Sequence, residues 1–250
     1  MLRAYARALL SLVCNTLFMP ASTIRARVRA EMTAEIKTAA RAHLATDGAN
    51  LSLRAVARDM GMVSSAIYRY FASRDELLTA LIVDAYNALG AAVEAADAAV
   101  SDRRQLRARW LSATRAVRRW ALANPAEYAL VYGSPVPGYA APPDTIAAAA
   151  RTPVVLARIL ADGVESGQLA GAGYRSSVPV AASVRADLAR TRDAIAANVP
   201  EELLLTGLSG WIQMFGVVSF ELFGQFNNVI DARAEFFDQQ MELMADLIGL

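Results

Sequence analysis

Residues 52–78 read SLRAVARDMGMVSSAIYRYFASRDELL, and the spacing within this run decides the fold. Ser52 is placed to cap a short helix, LRAVARDM, whose inner face is Leu53, Val56, Ala57 and Met60. Gly61 ends that helix where the backbone needs a positive φ, which glycine tolerates at little cost. A second short helix, Ser64 to Tyr70, follows almost at once. Two short helices joined so tightly cross steeply, and the crossing needs a small residue, here Ala57. On a helical wheel Ile67 and Phe71 face inward with Tyr70 beside them, while Ser65, Tyr68 and Arg69 face outward and Ser64 lies at the edge. An exposed face of hydroxyls, an aromatic ring and an arginine on a short helix suits a DNA major groove. In the run that follows, Ser73 and Glu76 form a capping box for a further helix. Its exposed N–H groups, with Arg74, can hold a phosphate.

Upstream, Ile36, Ala40 and Leu44 make the apolar stripe of a preceding helix that begins near Thr33 and closes at Gly48. Before it, Arg25, Arg27 and Arg29 alternate with Ile24, Ala26, Val28 and Ala30. They read equally as an arm reaching the minor groove or backbone and as a solvated helix face. The charge distribution is uneven. Residues 1–74 carry eleven basic and four acidic residues, a balance of +7, whereas residues 75–250 carry fourteen and twenty, a balance of −6. The net charge of +1 over 250 residues therefore conceals a basic module on an acidic body, the footprint of a nucleic-acid-binding segment attached to something else.

Over Thr33–Ile82 the chain resembles the helix-turn-helix of the TetR family of transcriptional regulators. The resemblance is carried by IKTAARAHLATDG, the Ala57/Gly61 pair, the IYRYF core and the FASRDEL run. It implies an all-α fold, with an N-terminal three-helix DNA-binding domain and a larger helical ligand-binding and dimerisation domain. It also implies that the helix bearing Ser64, Ser65, Tyr68, Arg69 and Tyr70 enters the major groove, and that Ser52, Arg54 and Arg74 contact phosphates. Two positions depart from the family pattern. Val63 stands where a capping Ser or Thr is usual, so capping is expected to pass to Ser64, with the helix starting one residue later. Tyr70 replaces a common histidine and still offers a phosphate a donor. The domains expected are an extension over 1–24, the helix-turn-helix domain over 25–80 and the effector and dimerisation domain over 81–250.

The larger part also reads as helix, alanine-rich with apolar spacings of three and four. Leu204, Leu208, Trp211, Phe215, Val218 and Leu222 fall on one heptad seam, and the other faces of that helix are also apolar or small. Phe237, Met241, Met244 and Ile248 repeat the pattern on the last helix. A helix buried all round needs two partners, which favours a four-helix interface between two copies over a helix pair inside one chain. Trp110, Trp120, Tyr128, Tyr132, Trp211 and Phe215 are the candidate lining of an effector pocket, each also readable as core. The segment LRARWLSATRAVRRWALANPAEYALVYG resembles the C-terminal domain of an actinobacterial, WHG-like subgroup of the same family.

Inventory excludes most chemistry. The only histidine is His43, which reads as an exposed residue of the first helix, and the only cysteine is Cys14. Together they leave no disulfide framework, Cys-based zinc site or His-pair metal site. Gly171-Ala172-Gly173 lacks the third glycine of a dinucleotide fingerprint, and no P-loop occurs. No catalytic residue, metal or cofactor is therefore expected. The N-terminal MLRAYARALLSLVCNTLFMP has the basic start and apolar stretch of a signal peptide, but no clean small-residue cleavage site leads into a cysteine-paired domain. Residues 203–220 are uncharged over 18 positions, yet Glu201, Glu202 and Glu221 bracket them without a basic flank, so a buried helix is preferred to a membrane span. The expectation is a cytoplasmic, non-enzymatic regulator. Its partners would be a double-stranded DNA operator, a second copy of itself and a small-molecule effector, with no membrane attachment.

Overall fold

An alanine-rich chain with apolar residues three and four apart folds into helices throughout, and no strand occurs among the described residues. The computed structural model describes residues 21–47, 51–172, 179–196 and 198–250. They form two compact units that divide between Leu78 and Thr79, two residues before the boundary expected at 80.

The first unit is built from α1 (Ala21–Asp47), α2 (Leu53–Asp59), a 3₁₀ turn (Ile67–Arg69) and the start of α3 (Arg74–Ala98). Its core is small and fully shielded: Ile36, Ala40, Val56, Ala57, Ile67, Leu77 and Leu78 have no exposed surface. Helix α1 begins at Ala21 rather than near Thr33, so the boundary expected between residues 24 and 25 falls inside a helix. Gly48, the expected end of that helix, lies outside the described residues, as does the apolar stretch at 8–20.

The second unit holds the rest of α3 with α4 (Leu106–Ala123), α5 (Pro125–Tyr132), a 3₁₀ turn (Pro143–Thr145) and α6 (Ile146–Ala149). It is completed by α7 (Arg151–Glu165), α8 (Ala182–Ile195), α9 (Glu201–Leu222) and α10 (Arg233–Ile248). Helix α9 packs against α4, α7, α8 and α10. Helices α3 and α9 are long and apolar enough to cross a membrane by length and composition. In α9, however, Leu203, Leu204, Met214, Phe215, Val217 and Val218 are buried within the unit. Trp110 of α4 is fully buried, and its indole N–H donates to the Met241 carbonyl at 3.0 Å.

Charge is also buried. The Arg109 side chain is 1% exposed and donates to Asp97 at 2.8 Å, to Asp162 at 2.6 Å and to the Arg103 carbonyl at 3.1 Å. Burial alone would raise the Asp97 carboxyl, but hydrogen bonds from Arg109 and Arg103 outweigh it and hold the group below its ordinary value. Folded Asp97 thus releases its proton at lower pH than the unfolded chain does. Its stabilisation is complete above the ordinary carboxylate value of about 4 and is lost as pH falls through the lowered folded value. Asp97→Asn is expected to flatten the acid limb of the stability curve, as read by urea midpoints between neutral pH and about pH 3. A second test concerns packing. A Cβ on Gly210 would lie 2.8 Å from the buried Trp110 ring and 3.3 Å from Ile248 Cδ1. Because Trp110 is pinned by its bond to Met241, Gly210→Ala should lower unfolding free energy by roughly 1–3 kcal/mol in urea titration.

Candidate nucleic-acid interface

The helix-turn-helix geometry follows from local chemistry. Ser52 Oγ accepts from the Ala55 N–H at 3.4 Å and caps α2. Gly61 takes φ +67°, and the chain turns back so that the Met62 N–H reaches the Ala57 carbonyl at 2.8 Å. The segment after the turn differs from expectation. It is not an α-helix over Ser64–Tyr70 but a turn leading into one 3₁₀ turn, Ile67–Arg69. Its bonds run from Ala66 N to Val63 O, Arg69 N to Ala66 O and Tyr70 N to Ile67 O. The physical reason is brevity combined with a missing cap: Val63 has no hydroxyl, and Ala66, the cap residue of the 3₁₀ turn, makes no side-chain cap bond. The facing is as the wheel required. Ile67 and Phe71 are buried, Tyr70 is half-buried, and Ser64, Ser65, Tyr68 and Arg69 are exposed.

Beside this surface lies an open groove of about 460 Å³ whose lining includes Ser52, Arg54, Tyr68, Ala72, Ser73 and Arg74. The capping box is formed: Ser73 Oγ accepts from the Glu76 N–H at 3.1 Å, and Glu76 Oε2 accepts from the Ala72 N–H at 2.6 Å. One of the helix N–H groups expected to hold a phosphate, that of Glu76, is therefore already bonded, and the phosphate-binding capacity of the groove rests more on side chains. Arg74 Nε donates to the Leu51 carbonyl at 3.2 Å, while its Nη1 lies 3.5 Å from Asp75. The guanidinium is thus fixed at the groove wall, with part of its charge offset. Arg54 is exposed.

Arg25, Arg27 and Arg29 are exposed on α1, so the arm alternative for this segment gives way to a helical one. Arg27 pairs with Glu31 at 3.5 Å. Arg29 stands 5.4 Å from the centre of the Tyr70 ring, a cation–π contact that the sequence does not reveal. His43 is also not the exposed residue expected. Its side chain is 14% exposed and its Nε2 lies 2.8 Å from Asp59 Oδ2, tying α1 to α2. Neither pair has a fixed sequence spacing by which it could be read.

In the second unit the six candidate pocket residues do not line one cavity, although Trp211 meets Phe215 edge to face with ring centres 5.6 Å apart. Trp110 and Trp211 line an apolar void of about 30 Å³. Tyr128, Tyr132 and Phe215 stack on one another instead, with ring centres 4.1 to 6.3 Å apart. Tyr128 Oη lies 2.8 Å from Ser219 Oγ, and burial raises the Tyr128 and Tyr132 hydroxyls, so both stay neutral phenols. Trp120 packs, partly buried, against the core.

The heptad seam is internal. Leu204, Phe215, Val218, Phe237, Met241 and Ile248 are buried within one chain, and Leu208, Trp211, Leu222 and Met244 are partly buried against the same core. The large apolar side chains left in solvent on these two helices are different ones, Ile212 and Phe220 on α9 and Leu243 and Leu247 on α10, with Phe223 just beyond α9. Among the described residues no cluster of His, Cys, Asp or Glu has the make-up of a metal site.

Known proteins share both units. Residues 36–81 match the family described as "Bacterial regulatory proteins, tetR family", and residues 110–244 match "Tetracyclin repressor-like, C-terminal domain". The chain is 37% identical over 233 residues to the HTH-type transcriptional regulator Rv1816 of Mycobacterium tuberculosis, covering 90% of this chain and 95% of that one. Its counterpart Mb1846 of Mycobacterium bovis matches to the same extent. The crystal structure of the regulatory protein SCO4313 aligns with a TM-score of 0.73 at 34% identity, over 91% of this chain and 100% of that one. The TetR family regulator PfmR of Thermus thermophilus, at 19% identity, TM-score 0.54 and coverage of 84% and 96%, shares the fold. The chain belongs to the TetR family of bacterial transcriptional regulators, with a DNA-binding helix-turn-helix domain at its N-terminal end and an all-helical domain after it.

Proposed function

We propose that the protein acts as a homodimeric repressor that leaves a palindromic operator when a small apolar molecule binds its second unit. The observation that carries the DNA-binding half of this reading is the exposed set Ser64, Ser65, Tyr68 and Arg69 beside a groove lined by Ser52, Arg54 and Arg74. Hydroxyls and an arginine on a short projecting turn read base edges, and the groove takes the flanking phosphates. Arg25, Arg27 and Arg29, exposed on α1, add positive charge near the backbone.

Dimerisation is supported by the exposed apolar side chains of α9 and α10. Ile212 is 62% exposed and Phe220 53%, and Gly216 between them has open space where a Cβ would sit, so a second helix can approach closely. Gln213 Nε2 donates to Gln240 Oε1 at 2.8 Å and links the two helices. Two such helices from each copy would make a four-helix interface. It would set the two DNA-binding units about 34–36 Å apart, one helical turn of DNA. The ligand would favour a conformer with another spacing, and it can shift the balance only by its difference in affinity for the two conformers. The chain passes from one unit to the other within α3, which is the covalent route for that shift.

A second reading keeps the DNA binding and the dimer but dispenses with the effector. The size of the void favours it, since about 30 Å³ is far below the roughly 300–1,000 Å³ of a pocket that encloses a drug-sized ligand.

Selection of bound sequences from random DNA tests the core of the proposal, and an inverted repeat is the expected result. On that operator Tyr68→Ala should weaken binding roughly tenfold in a gel shift with the dimer intact. Arg54→Ala should lower the slope of log affinity against log salt by about one per half-site. Unchanged binding in both variants would remove this surface from the interface. Phe220→Arg places a charge in the proposed dimer face. Sedimentation should then report a monomer, with operator affinity reduced on the order of a hundredfold as the two half-sites lose their linkage.

A further inference from the structure

Val63 opens the turn proposed to face DNA, and nothing in the fold accounts for a valine there. It packs nowhere: its side chain is 71% exposed, and no other large apolar side chain among the described residues is more so. It caps nothing, because it has no hydroxyl. Only its backbone takes part, the carbonyl accepting from the Ala66 N–H at 2.8 Å. A single apolar group on a surface is unexceptional, but Val63 does not stand alone. Ser64, Ser65, Tyr68 and Arg69, which follow it, are exposed as well and make up the face assigned above to base edges. Ala66 and Ile67 are buried, so the turn is anchored by one face and offers the other.

Residues at the leading end of a recognition element come closest to the base edges of the major groove. The chemistry of the side chain then limits what it can read there. Serine, tyrosine and arginine exchange hydrogen bonds with several bases, whereas valine neither donates nor accepts one. Among the groups that base pairs present in the major groove, only the 5-methyl group of thymine is apolar. A valine set against any donor or acceptor instead would strip water from it and return no bond.

We infer that Val63 is a specificity-determining residue that packs on the 5-methyl group of one thymine in each half-site. This rests on the DNA-facing surface proposed above and adds a base preference to it. The missing cap and the base contact are two consequences of one residue. A serine here would turn its hydroxyl to the backbone of the turn, whereas valine forgoes that bond and presents two methyl groups to the DNA.

Replacing thymine by uracil removes the methyl group and leaves every hydrogen-bonding group of the base pair in place. The selected inverted repeat is therefore remade with uracil at one symmetric pair of thymines at a time and titrated with the full-length protein. At one pair the native protein should bind about fourfold more weakly per half-site, roughly fifteenfold for both, the worth of one methyl group taken out of water. Val63→Ala and Val63→Ser should bind the thymine and uracil forms of that operator within about twofold of each other. Val63→Ser restores a capping hydroxyl, so its urea midpoint should be no lower than that of the native protein, and its loss of preference is then not a loss of folding. An operator indifferent to uracil at every position overturns the inference. So does a thymine preference that survives in both variants, which would pass the methyl contact to Tyr68. Tyr68→Ala separates this contact from the surface it rests on. An operator that needs Tyr68 but ignores uracil sinks the thymine contact alone. A protein that selects no sequence removes the surface, and the contact with it.

Discussion

Trp110 sets the spacing of the second unit. Its indole, fully buried, bonds the Met241 carbonyl of α10, its ring lies where a side chain on Gly210 of α9 would collide, and it is itself a residue of α4. Three helices are therefore held at separations that one rigid aromatic dictates, and a close-packed interior leaves little slack for a different residue there. The same indole forms part of the floor of the void. Trp110 and Trp211 make an instructive pair, because two indoles share one cavity wall and only one of them has its N–H satisfied.

The lateral register of α4 against α10 is set by arginines. Arg107 reaches Glu242 and Asp246, and Arg115 reaches Asp238, so carboxylates one turn apart along α10 receive guanidinium groups from a single helix. Arg118 forks onto the buried carboxylate of Glu221 in α9 at 2.8 and 2.7 Å. The half-exposed pairs add little stability, but a planar fork accepts only a narrow range of geometries and so rejects a slipped register. A chain with one lysine among 25 basic residues is suited to this use, since an ammonium cannot make the two-pronged contact. The excess of acid in the second unit is thus partly the counterpart of its own arginines rather than a free negative surface.

What is legible in the sequence is what depends on near neighbours along the chain. Ser52, Ala57, Gly61, Ser73 and Glu76 act through bonds or contacts within a few residues of themselves, and their spacing states their roles. The inward facing of Ile67 and Phe71 follows in the same way. The recognition segment reads as a full helix but forms only a turn, because a short stretch with Val63 in place of a cap has too few bonds to complete one. Period-two alternation gives Arg25, Arg27 and Arg29 an extended look, although a long helix carries any pattern on an exposed end. The heptad seam is sound as periodicity but cannot name its partner. Leu204, Phe215 and Val218 meet their own chain, and the stripe left over, Ile212 to Phe220, shows only once the burial is known. Long-range pairs such as His43–Asp59 or Arg118–Glu221 have no sequence spacing to be read.

Helix α9 joins the proposed ligand site and the proposed dimer face physically. One side of the helix, through Leu204, Gly207, Leu208 and Trp211, forms a wall of the void, and another presents Ile212, Gly216 and Phe220 to solvent. A molecule in the void would lie directly against α9, which supplies Leu204, Gly207, Leu208 and Trp211 to its wall. On the homodimer reading, the same helix lies in the contact between copies, so a small rotation of α9 is felt at once by both subunits. No separate chain of intermediaries is required: the wall of the ligand site and the wall of the dimer site are different sides of one backbone. Such a helix moves as a unit, because its interior bonds resist local bending. The coupling then equals the ligand's preference for one orientation of α9 over the other, and a ligand indifferent to that orientation would bind without consequence for DNA.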